Sequence, residues 1–226
     1  MPPPAFRRRP LALGRRLLCD CTHFALGRHK ASAERLMRIP DVAAARPAAG
    51  PRPTWAAIMT KAFAIAARNH PEMRQVRLEF PWPHLGEFAW QAACVIVPRR
   101  IGDEEILLTA PLDAPEKRSL AELDRKLRWY QEEPVENISI YRDLLVMARF
   151  PSFVRRLLLW FAFRVKPRYR MRYFGTFGVT TMSPYGAKTT GAPCFWTSML
   201  HYGPVSSEGE VDVGIIFDHR IMDGSV

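Results

Sequence analysis

The last ten residues, FDHRIMDGSV (217–226), decide how this chain is read. They hold His219, Asp223 and Gly224 in the pattern H-x-x-x-D-G, directly after the β-like run VDVGIIF (211–217). A strand of that kind delivers His219 at its end, where a side chain projects into a cleft instead of the core. Histidine titrates near neutrality, so a residue placed there suits a general base.

Working back from that stretch, FGTFGVTT (174–181) and CFWTSMLHYG (194–203) alternate short β-like runs with Gly, Pro and Ser turns. WQAACVIVP (90–98) and EILLTA (105–110) read as two more strands, joined by a turn around Gly102-Asp103. Two helices separate these groups. Thr54 is an N-cap for a helix whose apolar face comprises Trp55, Ile58, Met59, Ala62, Phe63, Ile65 and Ala66, ended by Asn69 and Pro71. Ser119, with Glu122 three residues on, forms a capping box opening a helix with Leu120, Leu123 and Leu127 on one side. Residues 11–26 read as a helix packed on the domain, because Arg15, Arg16 and Asp20 interrupt what a secretory leader would keep apolar. Residues 31–39 read as a strand leading into a helical turn at DVAAAR (41–46), and 46–53 as a loop. Strand and helix thus mix along one α/β domain spanning 11–226, preceded by a disordered, basic segment at 1–10.

With 226 residues, 48% hydrophobic and 24% charged, the composition excludes a disordered chain. No stretch reaches the roughly 20 apolar residues of a membrane-spanning helix. Cys19, Cys21, Cys94 and Cys194 are too scattered for a disulfide framework or a zinc site, which implies a reducing cytoplasm and no metal. Cys94 and Cys194 sit in apolar runs and read as buried, not nucleophilic. The net charge of +11 is concentrated: residues 1–52 carry +8, residues 149–172 carry another +8, and the remainder carries −5. Such segments either attract phosphate-bearing partners or form a solvated face.

The run IYRDLLVMARFPSFVRRLLLWFAF (140–163), continuing to 173, is apolar yet studded with arginine. Two readings fit it: an interfacial helix lying on anionic lipid, or a helical hairpin on the domain with its arginines snorkelling outwards. Nucleic acid suits it less, because leucines outnumber side chains that would contact bases.

The terminal motif resembles the D-H-R-x-x-D-G signature of the dihydrolipoyl acyltransferase catalytic domains of 2-oxoacid dehydrogenase complexes, in the chloramphenicol acetyltransferase-like superfamily. FGTFGVTTM (174–182) is similar to that family's G-T-F-T-I-S-N-L strand, TKAFAIAARNHPEMR (60–74) to its helix and following turn, and APEKRSLAELDRKL (114–127) to its D-A-D-R-K-S-L stretch. The blocks run in the family's order over most of 50–226. The resemblance implies a two-layer α/β sandwich with a mixed sheet, assembled as a homotrimer with active sites at subunit interfaces. It implies acyl transfer from an acyl-coenzyme A thioester to a hydroxyl, amine or thiol, with coenzyme A as substrate and no lipoyl group in this chain. By the same resemblance His219 is the base, and Thr180 (with Thr181 as fallback) donates to the oxyanion in place of the family's serine. Asp223 pairs with an arginine to fix the loop, and Gly224 allows a tight turn.

Three departures qualify the resemblance. The segment 140–173 replaces a short polar connection, the chain has no lipoyl domain, and it stops before the family's final helix, as a fragment would. The acceptor is left open, as an amphiphile given segment 140–173, with peripheral contact at the inner membrane face. The alternatives are a lipoyl-dependent core served by a separate lipoyl protein and a non-catalytic membrane-peripheral scaffold. Trp82, Trp160 and Trp196 read as core or interface packing, or as lining of an acyl pocket.

Overall fold

The computed structural model describes residues 11–26, 30–187, 189 and 193–226; the basic segment 1–10 lies outside the described residues. Helix α1 (Leu13–Ala25) is followed by strand β1 (Lys30–Arg38) and the short helix α2 (Pro40–Ala45), as the sequence predicts. Thr54 caps α3 (Trp55–Ala67), its hydroxyl accepting the Ala57 N–H at 3.2 Å. A small hairpin that sequence patterning misses, β2 (Gln75–Leu78) with β3 (His84–Glu87), comes next. Strands β4 (Ala92–Ile101) and β5 (Glu104–Asp113) form the predicted hairpin, turning at Gly102 with φ of 59°. Ser119 and Glu122 complete the capping box of α4 (Leu120–Glu132). After α5 (Ser139–Arg149), α6 (Ser152–Arg164) and α7 (Pro167–Phe174) come β6 (Phe177–Thr181), β7 (Ser198–Tyr202) and β8 (Glu210–Asp218).

Six strands make one sheet in the order β1-β8-β7-β6-β4-β5. It is mixed, because β6 runs parallel to both β4 and β7 while the other pairs are antiparallel. Neighbouring residues on each strand serve opposite faces, as the pleat requires. Val95, Leu200 and Phe217 join the core under α3 and α4, whereas Cys94, Met199 and Ile216 join a second core with Phe163 and Phe174. The architecture is the expected α/β sandwich, with α1 and α6 packed over part of the opposite face.

Helix α3 turns a different face inward from the one its hydrophobicity suggests. Ala57, Met59, Thr60, Phe63, Ala64 and Ala67 are buried, while Ala62, Ile65 and Ala66 face solvent. The alanines on the inner face let the helix approach the sheet, and Phe63 meets the Phe177 ring edge-on at 5.0 Å between centroids. Gly175, at φ of 65°, lies so close to the Ala92 carbonyl that a β-carbon would collide with it, so the entry to β6 requires glycine.

Segment 140–173 folds against the domain as helices with most of its arginines exposed, which agrees with the hairpin reading, but two of its arginines and part of its apolar side chains depart from it. Arg155 and Arg170 are buried, while Phe153, Leu157 and Trp160 on α6 remain in solvent. The cause lies in α1. Asp20 is almost fully buried and needs cationic donors there. Arg155 Nε donates to it at 2.5 Å, Arg156 Nε reaches its other oxygen at 3.3 Å, and Arg155 also donates to the Phe150 carbonyl at 2.6 Å. Trp196 is buried as core, whereas Trp82 and Trp160 are exposed.

Breaking a buried ion pair strands a charge, so Asp20→Ala is expected to lower the unfolding free energy by about 3 kcal/mol. Urea unfolding monitored by circular dichroism checks this; the double change Asp20→Leu with Arg155→Met, which removes both charges, is expected to cost far less.

Candidate active site

Strand β8 ends on Asp218, which is fully buried and inherits every local donor. Its N–H donates to the Thr197 carbonyl at 2.8 Å, and its own carbonyl accepts from Ile221 N–H at 2.9 Å, closing a turn. Its carboxylate takes a two-pronged contact from Arg220: Nε to Oδ1 at 2.8 Å and the terminal nitrogen to Oδ2 at 2.7 Å. Burial works to raise this carboxyl, but the Arg220 hydrogen bonds and the nearby charges of Arg220 and Lys30 outweigh it and hold the group below the usual carboxylate range.

The turn pushes His219 out of the sheet, with its side chain more than half exposed. Its Nδ1 lies 2.9 Å from Asp223 Oδ1, and its ring stands edge-on to Phe217 at 6.1 Å. With Nδ1–H donated to the carboxylate, Nε2 carries the lone pair, which is the tautomer a base needs. The arginine expected at Asp223 is therefore at Asp218 instead, and His219 itself takes the Asp223 carboxylate. Gly224 has ordinary φ and open space around it, so nothing in the described turn demands glycine there.

Thr180 is not beside His219. Hydrogen-bond register places Thr180, His201, Gly214 and Glu34 in one row across the sheet, and Phe177, Ser198 and Phe217 in another. His219 therefore lies near the opposite end of the sheet from Thr180, on the order of 20 Å away. Thr180 lines an apolar pocket of about 150 Å³ with Cys21, Met147, Phe195, Trp196 and Met199. The neighbouring Thr181 faces the other way and is fully engaged. Its hydroxyl donates to the Tyr202 carbonyl at 2.9 Å and accepts the Ser183 N–H at 3.0 Å, which removes it as an alternative to Thr180.

Sequence reasoning did not find the partners of Thr180. His201, buried beside it in register, lies with Nε2 4.0 Å from Glu34 Oε1, and a β-carbon at Gly214 would collide with its ring. A larger cleft of about 1120 Å³ opens beside Leu112 on edge strand β5, at the same end of the strands as His219 but four strands across the sheet from it. Arg118, Arg125, Lys126, Arg168 and Arg172 stand around it against Asp113 and Glu122, with Trp90 and Trp129 among its walls. Only the basic run at 149–172 signalled it in sequence.

Cys94 and Cys194 are buried, as their apolar runs imply, whereas Cys19 is exposed. Burial, with the charge of Asp20, pushes the Cys21 thiol up to about 12, and burial raises Cys94 as well, so neither is a thiolate nucleophile at neutral pH. No cluster of metal-ligating side chains occurs among the described residues.

The chain matches no protein-family model and no curated relative. Solved structures do resemble it. The dihydrolipoamide acetyltransferase of Azotobacter vinelandii superposes with a TM-score of 0.66 at 14% identity, covering 98% of this chain and 86% of that one. A probable dihydrolipoamide acetyltransferase from Listeria monocytogenes gives 0.65 at 16%, over 97% and 88%. A truncated catalytic core of the 2-oxoacid dehydrogenase complex from Thermoplasma acidophilum gives 0.64 at 10%, over 98% and 92%. The chain shares the fold of these proteins. The two-layer mixed-sheet architecture implied by the terminal motif is thereby established.

The carboxyl of Asp218 has a consequence for pH. A group whose folded pKa is depressed contributes stability above its unfolded pKa, and that contribution is lost as pH falls through the folded value. Unfolding midpoints are therefore expected to decline below about pH 4, and Asp218→Asn, already lacking the charge, is expected to decline less over the same range. Urea titrations between about pH 6 and about pH 3 check this.

Proposed function

We propose that this chain is a coenzyme-A-dependent acyltransferase whose site is completed only between two copies. The observation that carries the reading is the His219–Asp223 pair, 2.9 Å apart at an exposed strand end. The Azotobacter vinelandii work concerned a serine, a histidine and an asparagine in that enzyme's catalytic mechanism, the last two four positions apart. His219 and Asp223 have the same spacing, with a carboxylate in place of the amide.

In this reading Nε2 of His219 takes the proton from an acceptor hydroxyl, amine or thiol as that atom attacks the thioester carbonyl. The tetrahedral oxyanion accepts a hydrogen bond from Thr180 of a neighbouring copy, the carbon–sulfur bond breaks, and the proton passes to the departing thiolate. Asp223 holds the imidazole in the required tautomer. Two residues at opposite ends of one sheet can meet across an interface between copies, and a head-to-tail contact whose rotation closes makes a ring, of which the homotrimer is one form. The cationic cleft at the His219 end suits the phosphates of coenzyme A, and Trp90 and Trp129 suit a flat base. The apolar pocket at Thr180 suits the acyl group. An apolar cavity of about 150 Å³ holds a benzene-sized guest, so the acyl chain is short, of about six carbons or fewer. A cytoplasmic setting agrees with the free cysteines, and the acceptor in this reading is an amphiphile. A second reading, with dihydrolipoamide on a separate protein as acceptor, is favoured by the fold comparison and is separated by supplying free dihydrolipoamide against alcohols and amines.

Thiol release from acyl-coenzyme A of increasing chain length tests the reading. Release is expected to fall once the chain exceeds about six carbons, and His219→Ala is expected to reduce it by about 100- to 10,000-fold without loss of circular dichroism. No release from any chain length would reject it. Mixing provides a separate check on the shared site. His219→Ala and Thr180→Val chains, each nearly inactive alone, are expected to regain activity when denatured and refolded together, because some interfaces then pair an intact His219 with an intact Thr180. A mixture no better than its parts would place the whole site in one chain.

A further inference from the structure

We infer that α6 and the end of α5 form a docking surface for anionic lipid, independent of the acyl-transfer site. The observation is a run of exposed apolar side chains on a helix whose inward face is already filled. On α6, Phe153 is 72% exposed, Leu157 62% and Trp160 40%, and their spacing of four and then three residues aligns them in a single stripe. Phe161 and Leu158 widen it, and Val146 and Phe150 of α5 extend it across the connection. The inward face of the same helix carries Arg155, Leu159 and Phe163. Because Asp20 holds Arg155 inside, α6 cannot rotate to hide the stripe without stranding a buried carboxylate. Exposed apolar side chains scattered singly need no partner, whereas a contiguous stripe of this size does.

The charge around the stripe selects the occupant. Arg142, Arg149, Arg156 and Lys166, none of which lines the cationic cleft, are all exposed, and Asp143 is the only acid between residues 140 and 173. Arg156 lies between Phe153 and Trp160 along the helix, so cations and apolar groups reach the same surface. Acyl chains accept the aromatic and leucine side chains, and lipid phosphates accept the arginines. The core of a protein–protein interface, by contrast, is depleted of charge. At thirteen residues α6 is too short to cross a bilayer, and no described helix is long and apolar enough to do so. The tip following β2 adds to the surface. Glu79 pairs with Arg164 at the C-terminal end of α6, and its N–H reaches the Arg164 carbonyl at 3.4 Å, which sets the exposed Phe80 and Trp82 beside that end. Aromatic side chains are favoured at the depth of lipid headgroups.

Flotation of the full chain with vesicles tests the inference, using phosphatidylcholine alone and an equimolar mixture with phosphatidylglycerol. Binding is expected to the mixed vesicles, with much less to phosphatidylcholine alone, and to weaken as salt is raised. The triple change Phe153→Ser, Leu157→Ser and Trp160→Ser is expected to lower binding about 100-fold or more, and Arg142→Gln, Arg149→Gln and Lys166→Gln together to remove the salt dependence. These side chains are exposed, so circular dichroism and the unfolding midpoint are expected to hold in every variant. His219→Ala is expected to bind vesicles as the unaltered chain does, which separates this inference from the proposed activity. Absence of binding to the mixed vesicles, or equal binding by the apolar triple variant, would overturn it. A fall in oligomeric mass caused by that variant, measured by light scattering, would also overturn it and assign the stripe to a second copy.

Discussion

A carboxylate sealed from water has to be surrounded by donors, and Asp218 has arranged the end of β8 around that need. Its main-chain N–H is spent on Thr197 and its carbonyl on Ile221, while both carboxylate oxygens are spent on Arg220. Each contact removes a degree of freedom from the five residues that follow. The strand cannot continue, because the carbonyl is used to close a turn; the arginine cannot wander, because it is held at both prongs. His219 is the one side chain in this turn left to point outward. Its position is therefore a by-product of satisfying a buried charge one residue earlier, and the Asp223 carboxylate then only has to orient a ring already presented.

Asp20 plays the same part on the other face. Burying it in α1 fixes the rotation of α6, a helix with apolar residues all round and hence no preference of its own. The two carboxylates, nearly two hundred residues apart in the chain, each decide which side chains reach solvent. In both cases the deciding contact is polar and enclosed, although the mass of the core is hydrophobic. Packing supplies the bulk of the stability, and these few charges determine the orientation of what is packed.

What sequence revealed follows from how local each feature is. Thr54 and Ser119 open helices through contacts within three residues, so their caps are legible at sight. The β4–β5 hairpin and β8 are legible because alternation and turn residues lie within a few positions of each other. The inner face of α3 is not, because Ile65 looks more hydrophobic than Ala64 and only the nearby sheet shows that the smaller residue fits. The rotation of α6 depends on a residue 135 positions away, and nothing between them announces it. The candidate site divides in the same way. His219 and Asp223 are four apart and their pairing is readable, although the expected arginine was misassigned. Thr180 could be picked out by resemblance to a strand motif, but its distance from His219 is set by strand order, which local patterns do not encode.

That separation makes the chain directional. One end of the sheet presents His219 and the other presents Thr180 beside a small apolar pocket, so under the proposed mechanism a solitary molecule holds two halves of a site. In an assembly built from such molecules, turnover per chain depends on how many chains are present. Under that proposal, dilution below the dissociation constant of the assembly silences the protein without altering a single bond within it, and synthesis of more chains restores it more than proportionately.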